Sequence, residues 1–334
     1  MVGGSSSGKP RSTSHPRPAR ALPGGVGAWR GLSGGAEALN HADLTHVIPA
    51  FVNPASGNGE AARAALRAVG GFDIREVVPT TLNEQVRAAI GEGARRVLIA
   101  GGDGSIGSAA GALAGTGVEL AILPCGTLNH LAKDLALPLD LEAAARVARV
   151  GRAVPADAAV VNDRIFLNTS SVGAYVSFVR TRERIERRLH AGYHVASFIA
   201  GVRLFVRMPL FTVSLHVEGV SRTYRTPLVF IGVGERELKL PTLGKRVDGG
   251  KTGLHVMVIR HRSSARTLAL GLAAAARGVK AVSRTPAMDS FLVDECRVEP
   301  RTRSIAVDGE IVRVSPPLAY RNLPGHLRVV VAGE

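Results

Sequence analysis

The chain of 334 residues is long enough for two domains of ordinary size. Hydrophobic residues make up 46% and charged residues 21%, a globular composition, and the longest apolar run (268–276) is shorter than the about 20 residues that cross a bilayer. The net charge of +15 favours partners that carry phosphate, such as a nucleotide or a membrane surface. Because aromatic residues amount to 4% and no nucleic-acid module is recognisable, we expect no nucleic-acid partner.

The first segment, residues 1–44, is rich in Gly, Ser, Pro and Arg and lacks hydrophobic periodicity. This composition predicts a disordered basic leader. No continuous apolar stretch of a secretory signal occurs in it, and the two cysteines, Cys125 and Cys296, are too few for a disulfide framework. We therefore expect a cytoplasmic protein without a transmembrane segment.

From His46 onward, short apolar strands alternate with helical segments: HVIPAFV, EAARAALRAVG, DIREVV, LNEQVRAAIGEG, RRVLIA, SAAGALAG and ELAILP. Such alternation predicts a parallel α/β sheet with helices on both faces. Beyond about residue 157 the pattern changes to short alternating strands, interrupted by helical stretches at 179–206 and 263–282, which predicts an antiparallel β-rich domain. The expected domains are thus 45–157 and 158–334, with the C-terminus packing back on the first domain.

Three glycine-rich turns follow strands of the predicted parallel sheet: FVNPASGNG (51–59), GGDGSIG (101–107) and PCGTLN (124–129). The second contains G-x-G-x-x-G, but the acidic residue that a dinucleotide fold needs about 20 positions further on is missing. Taken singly, the first turn is typical of an ordinary loop and the third of a helix N-cap at Thr127. Together at the carboxyl edge of one sheet, they favour a phosphate site.

The segments NPASGNG, GGDGSIGSAAGAL and LPCGTLNHLAKDLALP, followed by IAVDGEIV and PGHLRVVV, resemble the diacylglycerol kinase-like lipid kinases. That family includes bacterial diacylglycerol kinases and sphingosine kinases and is distantly similar to NAD kinases. The resemblance implies an N-terminal parallel-sheet nucleotide-binding domain and a C-terminal antiparallel β-sandwich domain. It also implies an ATP- and Mg²⁺-dependent phosphotransferase acting on an alcohol group of a lipid such as diacylglycerol.

The resemblance assigns roles residue by residue. It implies that Glu310 in VDGE is the general base and that Asp103 is a catalytic residue that binds Mg²⁺ or positions the nucleotide. The residues implied in ATP binding are Asn53, Ser56, Gly57, Thr80, Gly101, Gly102, Asp103, Gly104, Ser105, Thr127 and Asn129. Asp248 lies in a segment that resembles a structural Mg²⁺ site, although an ordinary exposed turn suits it equally well.

Departures from the family pattern keep other functions open. Gly107 and Ser108 replace the Asn and Glu common in the family, and Ser177 replaces the aspartate that binds the sphingosine headgroup. The alternatives are a kinase of a soluble alcohol or dinucleotide, and a catalytically weak lipid- or nucleotide-binding protein. Arg180, Arg184, Arg187 and Arg188 share one helical face, which indicates either a solvated face or peripheral contact with lipid headgroups. The oligomeric state stays open, with a homodimer among the candidates.

Overall fold

Strands and helices alternate in the first half of the chain. The structure, a computed structural model, describes residues 46–54, 58–127, 129–189, 192–206, 210–238, 243–247, 249–260 and 288–333, all within one compact unit. The first elements are β1 (Ile48–Val52), α1 (Gly59–Val69), β2 (Phe72–Glu76), α2 (Leu82–Gly91), β3 (Arg96–Gly101), α3 (Asp103–Leu113), β4 (Glu119–Pro124), α4 (His130–Asp134) and α5 (Leu141–Val150).

These strands form a parallel sheet in the order β2-β1-β3-β4. Because successive side chains of a strand point to opposite faces, Leu98 and Ile99 of β3 lie in different cores. The core containing Ile99 is closed by α2 and α3, and the core containing Leu98 is closed by α1 and α5. The predicted parallel α/β arrangement with helices on both faces is therefore confirmed.

The second half begins with β5 (Arg152–Val161), β6 (Arg164–Phe166), β7 (Thr169–Gly173), α6 (Ala174–Leu189) and α7 (Tyr193–Val206). It continues with strands alone: β8 (Phe211–Val217), β9 (Val220–Thr226), β10 (Leu228–Val233), β11 (Arg236–Leu238), β12 (Leu243–Arg246), β13 (Leu254–Ile259), β14 (Met288–Val293), β15 (Glu295–Pro300), β16 (Ser304–Val307), β17 (Glu310–Arg313) and β18 (Leu318–Val331).

Two sheets of the second half pack face to face. One has the antiparallel order β14-β13-β10-β7-β16-β17, and the other places β15, β8 and β9 beside the first part of β18. Valines from β8, β10 and β13 share a buried cluster with Tyr320 of β18, so the space between the sheets is an apolar core. This arrangement confirms the predicted β-sandwich.

The long last strand, β18, joins the two halves. Its early residues pair with β15, and its residues 320–331 run beside β5 with an irregularity between Leu323 and Leu327. Its end pairs in parallel with β4, where Arg328 lies opposite Glu119. β5 spans the position, between residues 157 and 158, at which the sequence predicted the boundary between the two domains. That boundary stays a prediction. Within the described ranges, no helix has the length and apolar character needed to span a membrane.

The helical stretch predicted at 179–206 is wrong as one element, because α6 ends at Leu189 and α7 begins at Tyr193. The carbonyl of Gly192 accepts the first hydrogen bond of α7 from Ala196, which makes this glycine the start signal of a second helix. Helix α5 was not predicted from the sequence, although Asp140 caps it by accepting the Ala143 N–H at 2.8 Å. The predicted helix at 263–282 lies outside the described residues.

Candidate active site

The second and third glycine turns cross each other at backbone contact distance. Gly101 ends β3 and Gly102 precedes α3, while Gly126 follows β4. A Cβ on Gly126 would lie 2.6 Å from the Cα of Gly102, closer than side chains tolerate. Glycine is therefore required at the crossing, where the two turns meet at the carboxyl edge of the sheet.

Asp103, the first residue of α3, links this crossing to α4. Its carboxylate accepts the backbone N–H groups of His130 at 3.1 Å and Leu131 at 3.2 Å. A carboxylate at a helix N-terminus is favoured by the partial positive charge of the unpaired N–H groups. Asp103 thereby ties the first turn of α4 to the start of α3.

The third turn is closed by Asn129 rather than by Thr127. The expectation of an N-cap at Thr127 is wrong, since α4 begins at His130 with Asn129 at the N-cap in a left-handed conformation, φ 49°. The Asn129 side chain accepts the Gly126 N–H at 2.9 Å and donates to the Gly126 carbonyl at 2.8 Å. The buried amide of Asn129 thus fixes the loop, while Thr127 stays exposed at its tip.

The remaining predicted nucleotide residues follow neighbouring strands. Asn53 comes directly after β1, and Thr80 lies exposed in the turn before α2. Ser105, half-buried in α3, stands against Gly101. Ser56, Gly57 and the candidate metal ligand Asp248 lie outside the described residues, so their roles stay predictions.

The DG hairpin, which consists of β16, Asp308, Gly309 and β17, presents the predicted base. Asp308 and Gly309 have φ values of 46° and 88°, and Val307 pairs with Glu310, which is the geometry of a tight two-residue turn. The Asp308 carboxylate accepts three backbone N–H groups, from Leu167, Asn168 and Thr169, each at 2.9 Å. Burial raises the pKa of Asp308, and these three donors oppose that rise.

Glu310, the first residue after the turn, faces the start of α3. A Cβ on Gly104 would lie 2.9 Å from the carboxyl carbon of Glu310 and would overlap its Oε1. Oε2 of Glu310 is 3.3 Å from Nη2 of Arg164, and the carboxylate is about half exposed. The structure therefore brings Glu310 of the β-sandwich to the glycine-rich turn that contains Gly104.

Gly107 also meets the DG hairpin, because a Cβ there would lie 3.2 Å from Oδ2 of Asp308. The residue that departs from the family pattern therefore sits where the hairpin approaches α3. Ser108, its neighbour, donates to Oδ1 of Asn83 in α2 at 3.1 Å and serves the contact between two helices.

Cys125 lies within the third turn but carries no reactive thiol. Its side chain is buried, and burial raises its pKa to about 11. A thiol with so high a pKa is protonated at neutral pH and is a poor nucleophile. The sequence interpretation of Cys125 as a small buried apolar residue agrees with this environment.

Sequence reasoning missed two arginines of the site. Arg164 pairs with Glu310, and Arg236 is buried between Asp134 and Asn168. The local sequence around Arg164, the first residue of β6, gave no sign of its pair with Glu310, because the two residues are 146 positions apart. A lone arginine at the start of a β-strand gave no sign of the second.

The fold and the site together define a protein with a parallel α/β sheet, a β-sandwich, and the DG hairpin placed opposite glycine-rich turns. A family model described as "Diacylglycerol kinase catalytic domain" matches residues 48–161. These residues therefore match the diacylglycerol kinase catalytic domain, and the resemblance stated from the motifs is confirmed.

Similarity to individual proteins points the same way. A "Probable lipid kinase YegS-like" of Cronobacter sakazakii is 34% identical over 171 residues, which cover 50% of this chain and 53% of that protein. A "Diacylglycerol kinase" of Mycobacterium tuberculosis is 36% identical over 99 residues, which cover 27% of this chain and 32% of that protein. The chain thus spans about half the length of the first of these relatives and a third of the second.

A solved structure supports the fold over most of the chain. "Crystal structure of a putative diacylglycerol kinase from Bacillus anthracis str. Sterne" superposes with a TM-score of 0.67 at 20% sequence identity, covering 85% of this chain and 96% of that chain. At this identity the likeness establishes the two-part fold.

Proposed function

We propose that this protein is an ATP-dependent lipid kinase that transfers the γ-phosphoryl group to a hydroxyl of a lipid such as diacylglycerol. The observation that carries the proposal is the contact between Glu310 and Gly104, which sets a carboxylate opposite the turn suited to phosphate. The match of residues 48–161 to a kinase catalytic domain and the lipid-kinase names of the relatives support the same reaction class.

The residues of the site suit the demands of phosphoryl transfer, which are positioning and charge stabilisation. Backbone N–H groups of the crossing turns and the N-terminus of α3 hold the phosphates. Glu310 accepts the proton of the attacking hydroxyl as general base. Arg164 orients the Glu310 carboxylate, and the three N–H groups that hold Asp308 fix the hairpin that carries it.

Asp103 is the residue we assign to Mg²⁺. Each of its oxygens accepts one N–H group and keeps a further lone pair for a cation. Among the described residues, no three acidic, histidine or cysteine side chains cluster around a metal position. A single carboxylate, that of Asp103, together with the ATP phosphates is a set of ligands that suits Mg²⁺. The bound ion would neutralise part of the phosphate charge.

Peripheral membrane contact is proposed for the helix pair α6 and α7. Ala196 and Ala200 of α7 pack on Ile185 of α6, which leaves the opposite side uncovered. That side carries Val195, Phe198 and Val202, which are 56%, 73% and 48% exposed. We call these three residues the apolar α7 face. Spaced at i, i+3 and i+7, they form one continuous stripe.

Charges on the helix pair support an anionic lipid surface as the proposed occupant of the apolar α7 face. Glu183 and Glu186 pair with Arg182, at 3.9 and 3.7 Å, and the exposed arginines of α6 and α7 outnumber these two glutamates. Those arginines are Arg180, Arg184, Arg187, Arg188 and Arg203. The segment 261–287 contains basic residues but no acidic one, so its charge does not complement this face. An apolar stripe with flanking arginines is typical of interfacial helices.

The reaction is tested by incubating the purified protein with Mg²⁺ and γ-labelled ATP, using either lipid vesicles or soluble alcohols such as glycerol. We expect label in diacylglycerol or another lipid with a free hydroxyl and none in the soluble alcohols. Label in a soluble alcohol alone would support the soluble-alcohol kinase instead. Nucleotide binding without transfer to any acceptor would support a binding protein.

Docking is tested by co-sedimentation with phosphatidylglycerol vesicles. Phe198→Ser should lower vesicle binding about tenfold or more, because burying such a side chain contributes about 1.5 to 3 kcal/mol. Val220→Ser is the matched control, since Val220 is 54% exposed at the turn between β8 and β9. Equal binding by the Phe198 variant and the wild type would assign the apolar α7 face to contacts within or between protein chains.

A further inference from the structure

Arg236 is a deeply buried charged side chain near the site, and the proposed mechanism does not use it. Its side chain is 1% exposed, and burial lowers its pKa. A buried charge is stable only when it is paired and hydrogen-bonded. Nη1 of Arg236 lies 3.0 Å from Oδ2 of Asp134 and also bonds Oδ1 of Asn168, while Nε donates to the Val233 carbonyl at 2.8 Å.

The two side-chain partners of Arg236 belong to the two halves of the site. Asp134 is the last residue of α4, the helix whose first N–H groups hold the Asp103 carboxylate. Asn168 precedes β7, and its backbone N–H is one of the three donors to Asp308 in the DG hairpin. One guanidinium therefore touches both the helix tied to Asp103 and the loop that holds the hairpin of Glu310.

The position of Arg236 is itself fixed from two sides. Its backbone N–H donates to Nδ1 of His255 at 2.9 Å. Its side chain runs over Gly232, where a Cβ would overlap Cγ of Arg236 and lie 3.3 Å from Cδ. Glycine at 232 makes room for the arginine, so the guanidinium is held rather than free to move.

We propose that Arg236 is a positioning residue that sets the distance between the Asp103 turn and the DG hairpin. It touches neither the nucleotide nor the lipid hydroxyl in this account. It acts by holding α4, through Asp134, and the loop at Asn168 on one guanidinium nitrogen, Nη1. The expected loss of kcat rests on the proposed kinase function. The coupling between the first turn of α4 and the loop at Asn168 is a property of the fold and does not depend on that function.

The kinetic test compares Arg236→Met with the double variant Asp134→Asn/Arg236→Met. The single variant leaves the buried Asp134 carboxylate without its partner and should unfold at lower denaturant concentration, with kcat at least tenfold lower. The double variant removes that unpaired charge, so its unfolding midpoint should recover while kcat stays low and KM for ATP stays within about twofold. Recovery of kcat together with stability would overturn the proposal, as would an unchanged kcat in the single variant.

A second readout separates this inference from the kinase proposal. Hydrogen–deuterium exchange should become at least tenfold faster in Arg236→Met at the amides of both 130–131 and 167–169. Arg246→Met is the control, because Arg246 of the same β11–β12 hairpin pairs with Asp157 instead, at 2.8 Å. If wild-type protein phosphorylates nothing but both loops respond, the kinase proposal fails and the coupling stands. If either loop is unaffected, the coupling fails.

Discussion

Replacing Gly104 by alanine should impair catalysis without destabilising the fold. The new Cβ would lie 2.9 Å from the carboxyl carbon of Glu310, whereas ordinary contacts begin at 3.4 Å, so this carbon must retreat by at least 0.5 Å and Oε1 by more. A displacement of about 1 Å in a reacting group costs on the order of 100-fold in rate. We therefore expect kcat to fall about 10- to 100-fold.

Stability should change little in the same variant. Alanine is favoured over glycine inside a helix by about 0.5 to 1 kcal/mol. Moving the half-exposed Glu310 side chain off its rotamer costs about 0.5 to 1.5 kcal/mol, which offsets that gain. Gly111→Ala is the matched control, because Gly111 lies in the same helix α3 with open space around it.

The assay is the initial rate of label transfer from ATP to lipid, with KM for ATP determined in parallel. Because Gly104 acts through Glu310, Gly104→Ala/Glu310→Gln should be no slower than Glu310→Gln alone. Wild-type kcat in Gly104→Ala would refute the reasoning. A raised KM for ATP with unchanged kcat would refute it as well, because it would mean that Gly104 serves the phosphates and not Glu310.

Three further predictions concern stability and reactivity. Burial lowers the pKa of His255, so the stability that the neutral imidazole contributes is present above a pH of about 6.5 and is lost as the pH falls towards the lowered pKa. The free energy of unfolding should fall by at most about 1.4 kcal/mol per pH unit in this window. His255→Gln should flatten this decline in urea titrations at several pH values, and an unchanged slope would contradict the assignment. Burial raises the pKa of Cys125 to about 11 and that of Cys296 to about 12. An aromatic disulfide reagent should therefore label neither thiol at neutral pH until the protein unfolds. Labelling of the native protein would contradict the burial of these two thiols. Glu119→Ala removes the carboxylate 2.7 Å from the half-buried Arg96, whose guanidinium keeps its bonds to three backbone carbonyls. The free energy of unfolding should therefore fall by about 1 to 3 kcal/mol, and an unchanged value would count against the pair.

Much of the fold was predictable because its signals are local. The strand RRVLIA followed by glycines specifies β3 and the turn into α3, and the D-G pair between apolar strands specifies the DG hairpin. The break between α6 and α7 was missed because a helix-forming sequence, charged before Gly192 and apolar after it, continues on both sides of this glycine. One glycine inside such a pattern costs only about 1 kcal/mol, so it does not by itself predict a boundary.

The candidate site was predictable in its members but not in their contacts. The motifs identified Asp103, but its carboxylate holds N–H groups 27 and 28 residues further along the chain. The motifs also identified Asn129, whose amide closes the loop around Gly126, and its contact with nucleotide stays a prediction. Such contacts depend on how the strands are ordered in the sheet, which no local pattern encodes.

The most direct test of the kinase account is the rate of phosphoryl transfer to lipid by Glu310→Gln, measured beside its affinity for ATP. The variant keeps the size of the side chain but removes the base, so the rate should fall about 10²- to 10⁴-fold while ATP binding stays near the wild-type value. A variant as active as the wild type would contradict the role of Glu310. Wild-type protein that labels no lipid would contradict the account as a whole.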